Sequence, residues 1–180
     1  RNTKYHKGFT LIEFLVVLSI LVFIVPSVFG LIYTLLRQQS RIIALQEVKR
    51  QGDLVFNHMK VSIKNNAIAT YSDMGTTEIC TTASPTATGT SMYFLDATGV
   101  NIYFGYSLDG AGTGLEYERT SVSASATPLT NSSVTISDLV LGCTKSSDFS
   151  PPLVNLSFKV TQPANDVSLN YKTLIKLNAH

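Results

Sequence analysis

Three kinds of residue in this chain of 180 stand where they could do chemistry: two cysteines, three scattered histidines, and one carboxylate at the mouth of an apolar run. Cys80 and Cys143 lie 63 positions apart and form no C-x-x-C, which removes the usual dithiol and thiolate–zinc motifs. In an exported domain an even cysteine count favours a disulfide over two buried thiols, and closing such a loop contributes roughly 4 kcal/mol on the chain-entropy estimate. His6, His58 and His180 support no convincing triad, and neither G-x-S-x-G nor H-E-x-x-H occurs. The glycines at 110–114 lack the Lys and Ser/Thr of a phosphate-binding loop. No catalytic site, metal or cofactor is indicated. Glu13 is different. A carboxylate within a bilayer costs on the order of 3 kcal/mol, yet Glu13 opens 23 residues, Phe14 to Leu36, that contain no Asp, Glu, Lys, Arg or His. Thr10-Leu11-Ile12-Glu13 has the T-x-x-E form of a capping box, which would hold the carboxylate at a helix start, near the headgroups and the positive end of the helix dipole.

The element that must position Glu13 is the apolar run itself. As a helix it would be about 35 Å long against a bilayer core of about 30 Å, so it can span with some tilt. Seventeen of its 23 residues are Leu, Ile, Val or Phe, and together they favour insertion by roughly 5 to 10 kcal/mol. Arg1, Lys4 and Lys7 precede the run while Arg37 and Arg41 follow it, a bias that keeps the N-terminus cytoplasmic. A cleaved secretory signal has an apolar core of about 7–15 residues and a small-residue cleavage site. This core is longer, and Arg37-Gln38-Gln39 is no such site. An ordinary signal anchor is the plain alternative. Overall charge is nearly balanced, 14 basic residues against 12 acidic, which argues against a nucleic-acid binder.

The junction Lys7-Gly8-Phe9-Thr10-Leu11-Ile12-Glu13-Phe14-Leu15-Val16-Val17 closely resembles the N-terminal signature of type IV pilins and the pseudopilins of type II secretion, near-continuously over residues 7–25. The resemblance implies that a prepilin peptidase cuts between Gly8 and Phe9 on the cytoplasmic side and that the new Phe9 amine is methylated. It also implies that Glu13 meets the Phe9 amine of a neighbouring subunit. Such a pair at roughly 4 Å is worth about 4 kcal/mol at an effective dielectric of about 20, before desolvation takes back much of it. It would therefore set register more than add strength. The chain departs from the family pattern in three places. The leader lacks an initiator methionine, which leaves open that the chain begins within a longer one. Phe14 follows the glutamate where leucine is commoner, and the proline often found at the position of Gly30 stands one turn earlier, at Pro26. Filaments of the family often melt the helix hereabouts during assembly, and because Pro26 removes a backbone bond and Gly30 loosens the helix, the resemblance implies Pro26 to Gly30 as that segment. Some pseudopilins hold calcium in a loop, but Asp109 and Asp148 belong to no liganding series, and a plain turn is the better reading of both.

Beyond Leu36 the helix should continue to about Ala69, with Ile42, Leu45, Val48, Gly52, Val55, Met59 and Ile63 as its buried stripe. Arg37, Arg41, Lys49, Arg50, Asp53, Lys60 and Lys64 occupy the other faces, to be read as a solvated surface or as contacts to headgroups or a neighbour. Residues 70–180 are Ser/Thr-rich with short alternating runs that predict antiparallel strands over 78–82, 91–95, 101–108, 115–120, 134–136, 139–141, 153–161 and 167–177. In the last of these, Val167, Leu169, Tyr171, Thr173, Ile175 and Leu177 share one face. The predicted fold is α+β: a basic leader over 1–8, a transmembrane and filament-core helix over 9–36, its amphipathic continuation over 37–69, and an antiparallel β domain over 70–180 lying on that helix. Asn131-Ser132-Ser133 and Asn155-Leu156-Ser157 match the glycosylation pattern but read as ordinary loop and strand residues.

The expected function is a structural subunit, a minor one, of a type IV pilus or pseudopilus. The segment Thr127-Pro128-Leu129-Thr130-Asn131 and the strands after it resemble larger minor pilins. The implied partners are a prepilin peptidase, other pilin subunits, an inner-membrane assembly platform with its ATPase, and membrane lipid before assembly. Two rivals share the scaffold: a DNA-uptake or adhesin pilin, and a tethered binding domain that never polymerises and would retain residues 1–8. Removing Arg1, Lys4 and Lys7 leaves 11 basic residues against 12 acidic ones, so nucleic-acid binding is not indicated.

Overall fold

The computed structural model describes residues 10–73, 77–98, 102–119, 126–147 and 149–177. Helix α1 runs Leu11–Asn66 and is followed, among the described residues, by ten strands. By compactness the chain divides into residues 1–42 and residues 43–180, and all of the packing described in this section belongs to the second unit. The helix gives way at Asn66, a few residues before the expected end near Ala69, because Asn65 and Asn66 are poor helix formers and the chain passes directly into β1 (Ala67–Tyr71). The Ala97 amide donates to the Asn66 carbonyl at 2.7 Å, satisfying one of the helix's terminal acceptors.

Two antiparallel sheets, rather than one, pack on the helix. The first contains β1, β2 (Glu78–Ile79), β4 (Met92–Asp96), β5 (Tyr103–Leu108), β6 (Leu115–Arg119) and β7 (Thr127–Pro128), in the order β2-β1-β4-β5-β6-β7. The second is β10-β9-β8-β3, from β3 (Thr86–Gly89), β8 (Thr135–Thr144), β9 (Leu153–Gln162) and β10 (Val167–Lys176). The two short runs expected at 134–136 and 139–141 form a single strand, β8, with a register shift between Ser137 and Val140. Asp138 takes φ 54° in that bulge, which is why the alternation breaks there. A short 3-10 turn, Pro163–Asn165, joins β9 to β10, and Asp166 closes it at φ 50°.

The chain leaves the first sheet after β2, supplies β3 to the second sheet and returns as β4. Cys80 and Cys143 are disulfide-bonded across that crossing, with Cα atoms 6.1 Å apart and both residues buried. Cys80 follows β2 with φ 59°, which ends that strand two residues after it starts. Cys143 lies in β8 opposite Ala87 of β3.

The buried helix positions are Ala44, Val48, Gln51, Gly52, Val55, Met59 and Ile63. On a wheel of about 100° per residue they all fall within about 60° of Val48. Ile42, about 120° away on that wheel, and Leu45, on the edge of the arc, are exposed, so the expected stripe loses both and gains Ala44 and Gln51. Both sheets meet this arc through Phe94, Phe104 and Tyr106 on one side and Leu141, Leu156 and Phe158 on the other. In β10 the predicted alternation holds, with Val167 and Ile175 buried and Ser168, Asn170, Lys172 and Lys176 exposed.

Gly52 is where β10 comes closest to the helix. A Cβ there would overlap the Tyr171 ring, which stacks on Phe158 at 5.2 Å, tilts against Phe56 at 5.6 Å and donates its hydroxyl to Asp53 Oδ1 at 3.0 Å. Desolvation and the Asp53 carboxylate push the Tyr171 phenol up to about 12. Gly52→Ala gains up to about 1 kcal/mol in helix propensity but must displace a ring held on three sides, an overpacking cost of about 1–3 kcal/mol. The expected net result is destabilisation, read as a lowered unfolding midpoint; an equal or higher midpoint would mean the ring moves freely.

Candidate functional site

The N-terminal end of α1 carries the capping box. Thr10 donates its backbone N–H to Glu13 Oε2 at 3.0 Å and its hydroxyl to the same oxygen at 3.1 Å, while the Glu13 amide donates back to Thr10 Oγ1 at 3.4 Å. The exchange satisfies two helix-start donors and leaves Glu13 Oε1 without a hydrogen bond among the described residues. Gly8 and Phe9, the expected processing and assembly residues, lie outside the described residues, as do His6, Asp148 and His180.

From Leu11 to Ile43 every residue is exposed, Phe23 at 77 % and Phe29 at 65 %, although most are Leu, Ile, Val or Phe. The helix is long and apolar enough to cross a membrane, and none of its most apolar window is buried. Three of its hydroxyls bond back to the helix backbone. Ser19 donates to the Val16 carbonyl at 2.7 Å, Ser27 to Phe23 at 3.0 Å and Thr34 to Gly30 at 2.8 Å, so each hydroxyl is satisfied without water. Pro26 is inside the helix, and having no N–H it leaves the Val22 carbonyl without its ordinary donor. Nothing lies within 4 Å of a Cβ built at Gly30. In this state α1 is continuous through Pro26 and Gly30.

In the β domain, the other candidates resolve into structural roles. His58 sits half-buried with its ring edge-on to Tyr117 at 5.1 Å and Nδ1 at 3.3 Å from the Tyr106 hydroxyl, and burial lowers its pKa. Burial pushes the Tyr106 phenol well up. Asp109 closes the β5–β6 hairpin, accepting the Thr113 amide on Oδ1 at 2.7 Å, and the Gly114 and Thr113 amides hold its pKa down. Among the described residues no group of three or more His, Cys, Asp or Glu could hold a metal ion. The Asn131 side chain accepts the Ser133 amide at 3.1 Å and donates to Glu47 Oε1 at 3.1 Å, so it fastens its loop to the helix.

Two arrangements escaped the sequence reading. Glu47 accepts from Arg50 at 2.8 and 3.0 Å, Gln51 at 3.1 Å and Ser133 at 3.3 Å besides Asn131. These donors, Arg50 first, lower its pKa to about 2. The i, i+3 spacing of Glu47 and Arg50 was a readable signal; the loop partners were not. Asp96, fully buried, pairs with Arg119 at 2.6 Å and accepts the Thr98 amide at 2.8 Å. Only the fold brings β4 and β6 onto either side of β5, so no spacing reveals it.

Residues 3–25 match the family model described as the prokaryotic N-terminal methylation motif. No curated protein and no solved structure gives a significant match to the chain.

Proposed function

We propose that this chain, whose residues 3–25 carry the N-terminal signature of type IV pilins and pseudopilins, is a minor structural subunit of a type IV pilus or pseudopilus. It is inserted as a single-pass precursor with its N-terminus cytoplasmic, cut between Gly8 and Phe9 by a prepilin peptidase, methylated on the Phe9 nitrogen, and drawn with other subunits into a filament by a membrane assembly platform. The observation that carries the reading is the uncovered apolar helix that begins within the motif and runs on past it. Roughly 25 cal/mol per Å² favours covering such a surface, and lipid before assembly and neighbouring copies afterwards both do so.

Cleavage after Gly8 is what makes the second environment possible. It converts the Phe9 nitrogen from a neutral amide to a basic amine, creating a cation that Glu13 of a neighbouring subunit can meet. In the precursor that cation does not exist. The capping box occupies one oxygen of Glu13 and, among the described residues, leaves the other without a partner. Pro26 to Gly30, with one ladder bond already missing, is the segment that melts as subunits close up. The β domain from about residue 70 onward covers the outside, and the role is mechanical rather than catalytic.

Quantifying the chain in material sheared from the cell surface tests the reading. Expected is a small molar fraction beside a more abundant pilin, lost when the prepilin peptidase is deleted. Retention of all of the chain in the membrane, with peptidase present, would overturn it in favour of a tethered domain.

A further inference from the structure

The two sheets carry opposite charges on the faces turned away from the core. In β9 and β10 the positions alternating with buried Val154, Leu156, Phe158 and Val160 include Lys159, Lys172 and Lys176. The register sets Lys159 opposite Asn170 and Lys172 opposite Ser157. Asp138, in the β8 bulge, is the sole carboxylate on the strands of this sheet.

The six-stranded sheet is the converse. Its Asp96 and Arg119 point inward and neutralise one another, which leaves Glu78, Glu116 and Glu118 as the charges of its strands on the outer face. Cross-strand register lines up Glu78, Tyr71, Tyr93, Gly105 and Glu118 in a single row across β2, β1, β4, β5 and β6. Gly105 has no side chain to intervene; a Cβ there would overlap the Tyr93 ring, whose hydroxyl donates to Glu118 Oε2 at 3.4 Å. Tyr103 packs edge-on to Tyr71 at 5.2 Å beside that row. The result is a platform of tyrosine rings with a carboxylate at each end, a surface that suits ammonium groups through ring faces and charge together.

We propose that the lysine face of the four-stranded sheet docks on the tyrosine–glutamate face of the six-stranded sheet of a second copy of this chain. Two faces of one molecule are complementary in charge and comparable in extent: Lys172 and Lys176 are about 14 Å apart along β10, and the row from Glu78 to Glu118 spans about 19 Å across the strands. Because the two faces differ, the contact is head-to-tail, and it forms wherever two copies of this chain are neighbours. This goes beyond the filament reading, which uses the N-terminal helix alone.

Carbodiimide coupling tests it, since that reagent joins a lysine amine to a carboxylate only where they touch. The full chain is purified in detergent from an isotopically labelled and an unlabelled culture, mixed, reconstituted in lipid and coupled. Expected are mixed-isotope peptides joining Lys172 or Lys176 to Glu116 or Glu118, falling as salt is raised. Neither Lys172→Glu/Lys176→Glu nor Glu116→Lys/Glu118→Lys alone can form these peptides, so the informative sample is the mixture of the two variants, in which coupling should return to at least about half the unsubstituted yield with donor and acceptor exchanged. Coupling confined to single copies, or a swapped pair that does not recover, would overturn the contact. The N-terminus measured on the same samples separates the two ideas: correct cleavage after Gly8 without coupling between copies refutes this contact and leaves the filament reading standing.

Discussion

Replacing Glu13 with alanine should leave the chain inserted in the membrane and lower its recovery in filaments by about tenfold or more. Insertion does not depend on the carboxylate, because the apolar residues behind it favour the bilayer by several kcal/mol and a charge only subtracts from that. Incorporation does depend on it. Removing one member of a pair enclosed among apolar helices strands the other charge, at a cost of about 3–5 kcal/mol. Alanine also removes the capping box seen with Thr10, so a loss of incorporation alone has two explanations. Glu13→Gln separates them. Glutamine serves in a capping box as glutamate does but carries no charge, so it should behave like alanine in filament recovery while preserving the helix start. If Gln restores incorporation, the carboxylate matters only as a cap.

The second large effect is thermal. Removing the Cys80–Cys143 bond by the double substitution to alanine should destabilise the β domain by about 4 kcal/mol, from the loop of 63 positions that it closes. At about 2.1 cal/mol/K of unfolding entropy per residue, that corresponds to a midpoint lowered by about 14–17 °C for a domain of this size. The bond joins the end of β2 in one sheet to β8 in the other, so its loss releases the segment that changes sheets. Heating the full chain in detergent with and without reductant measures it, and a reductant-insensitive midpoint would show that the sheets hold together unaided.

What could be read from the residues follows the range of the interactions. The Thr10–Glu13 box is a three-residue motif and is present as expected. The period-two pattern of β10 identified its buried face, since each position faces one side or the other whatever its partner. The division into two sheets was not legible. It depends on β3 crossing to pair with β8 some 55 positions later, and the four residues of β3, Thr-Ala-Thr-Gly, carry no strong signal. Ala44 and Gln51 were passed over for the more apolar Ile42 and Leu45 because hydrophobicity stood in for geometry. The Asp96–Arg119 pair and the Tyr93 ring lying over Gly105 arise only from strand order. The N-terminal signature was legible because its constraint is chemical and local: residues 3–25 match the methylation motif, and Glu13 stands at the start of a long uncovered apolar helix.

The most direct measurement is the mass and N-terminal residue of the chain recovered from surface filaments. The account predicts a single species that begins at Phe9 and is heavier by one methyl group on its terminal nitrogen. A chain recovered there with any of residues 1–8 still attached would contradict it, because the Phe9 cation that Glu13 is held to meet would never have formed.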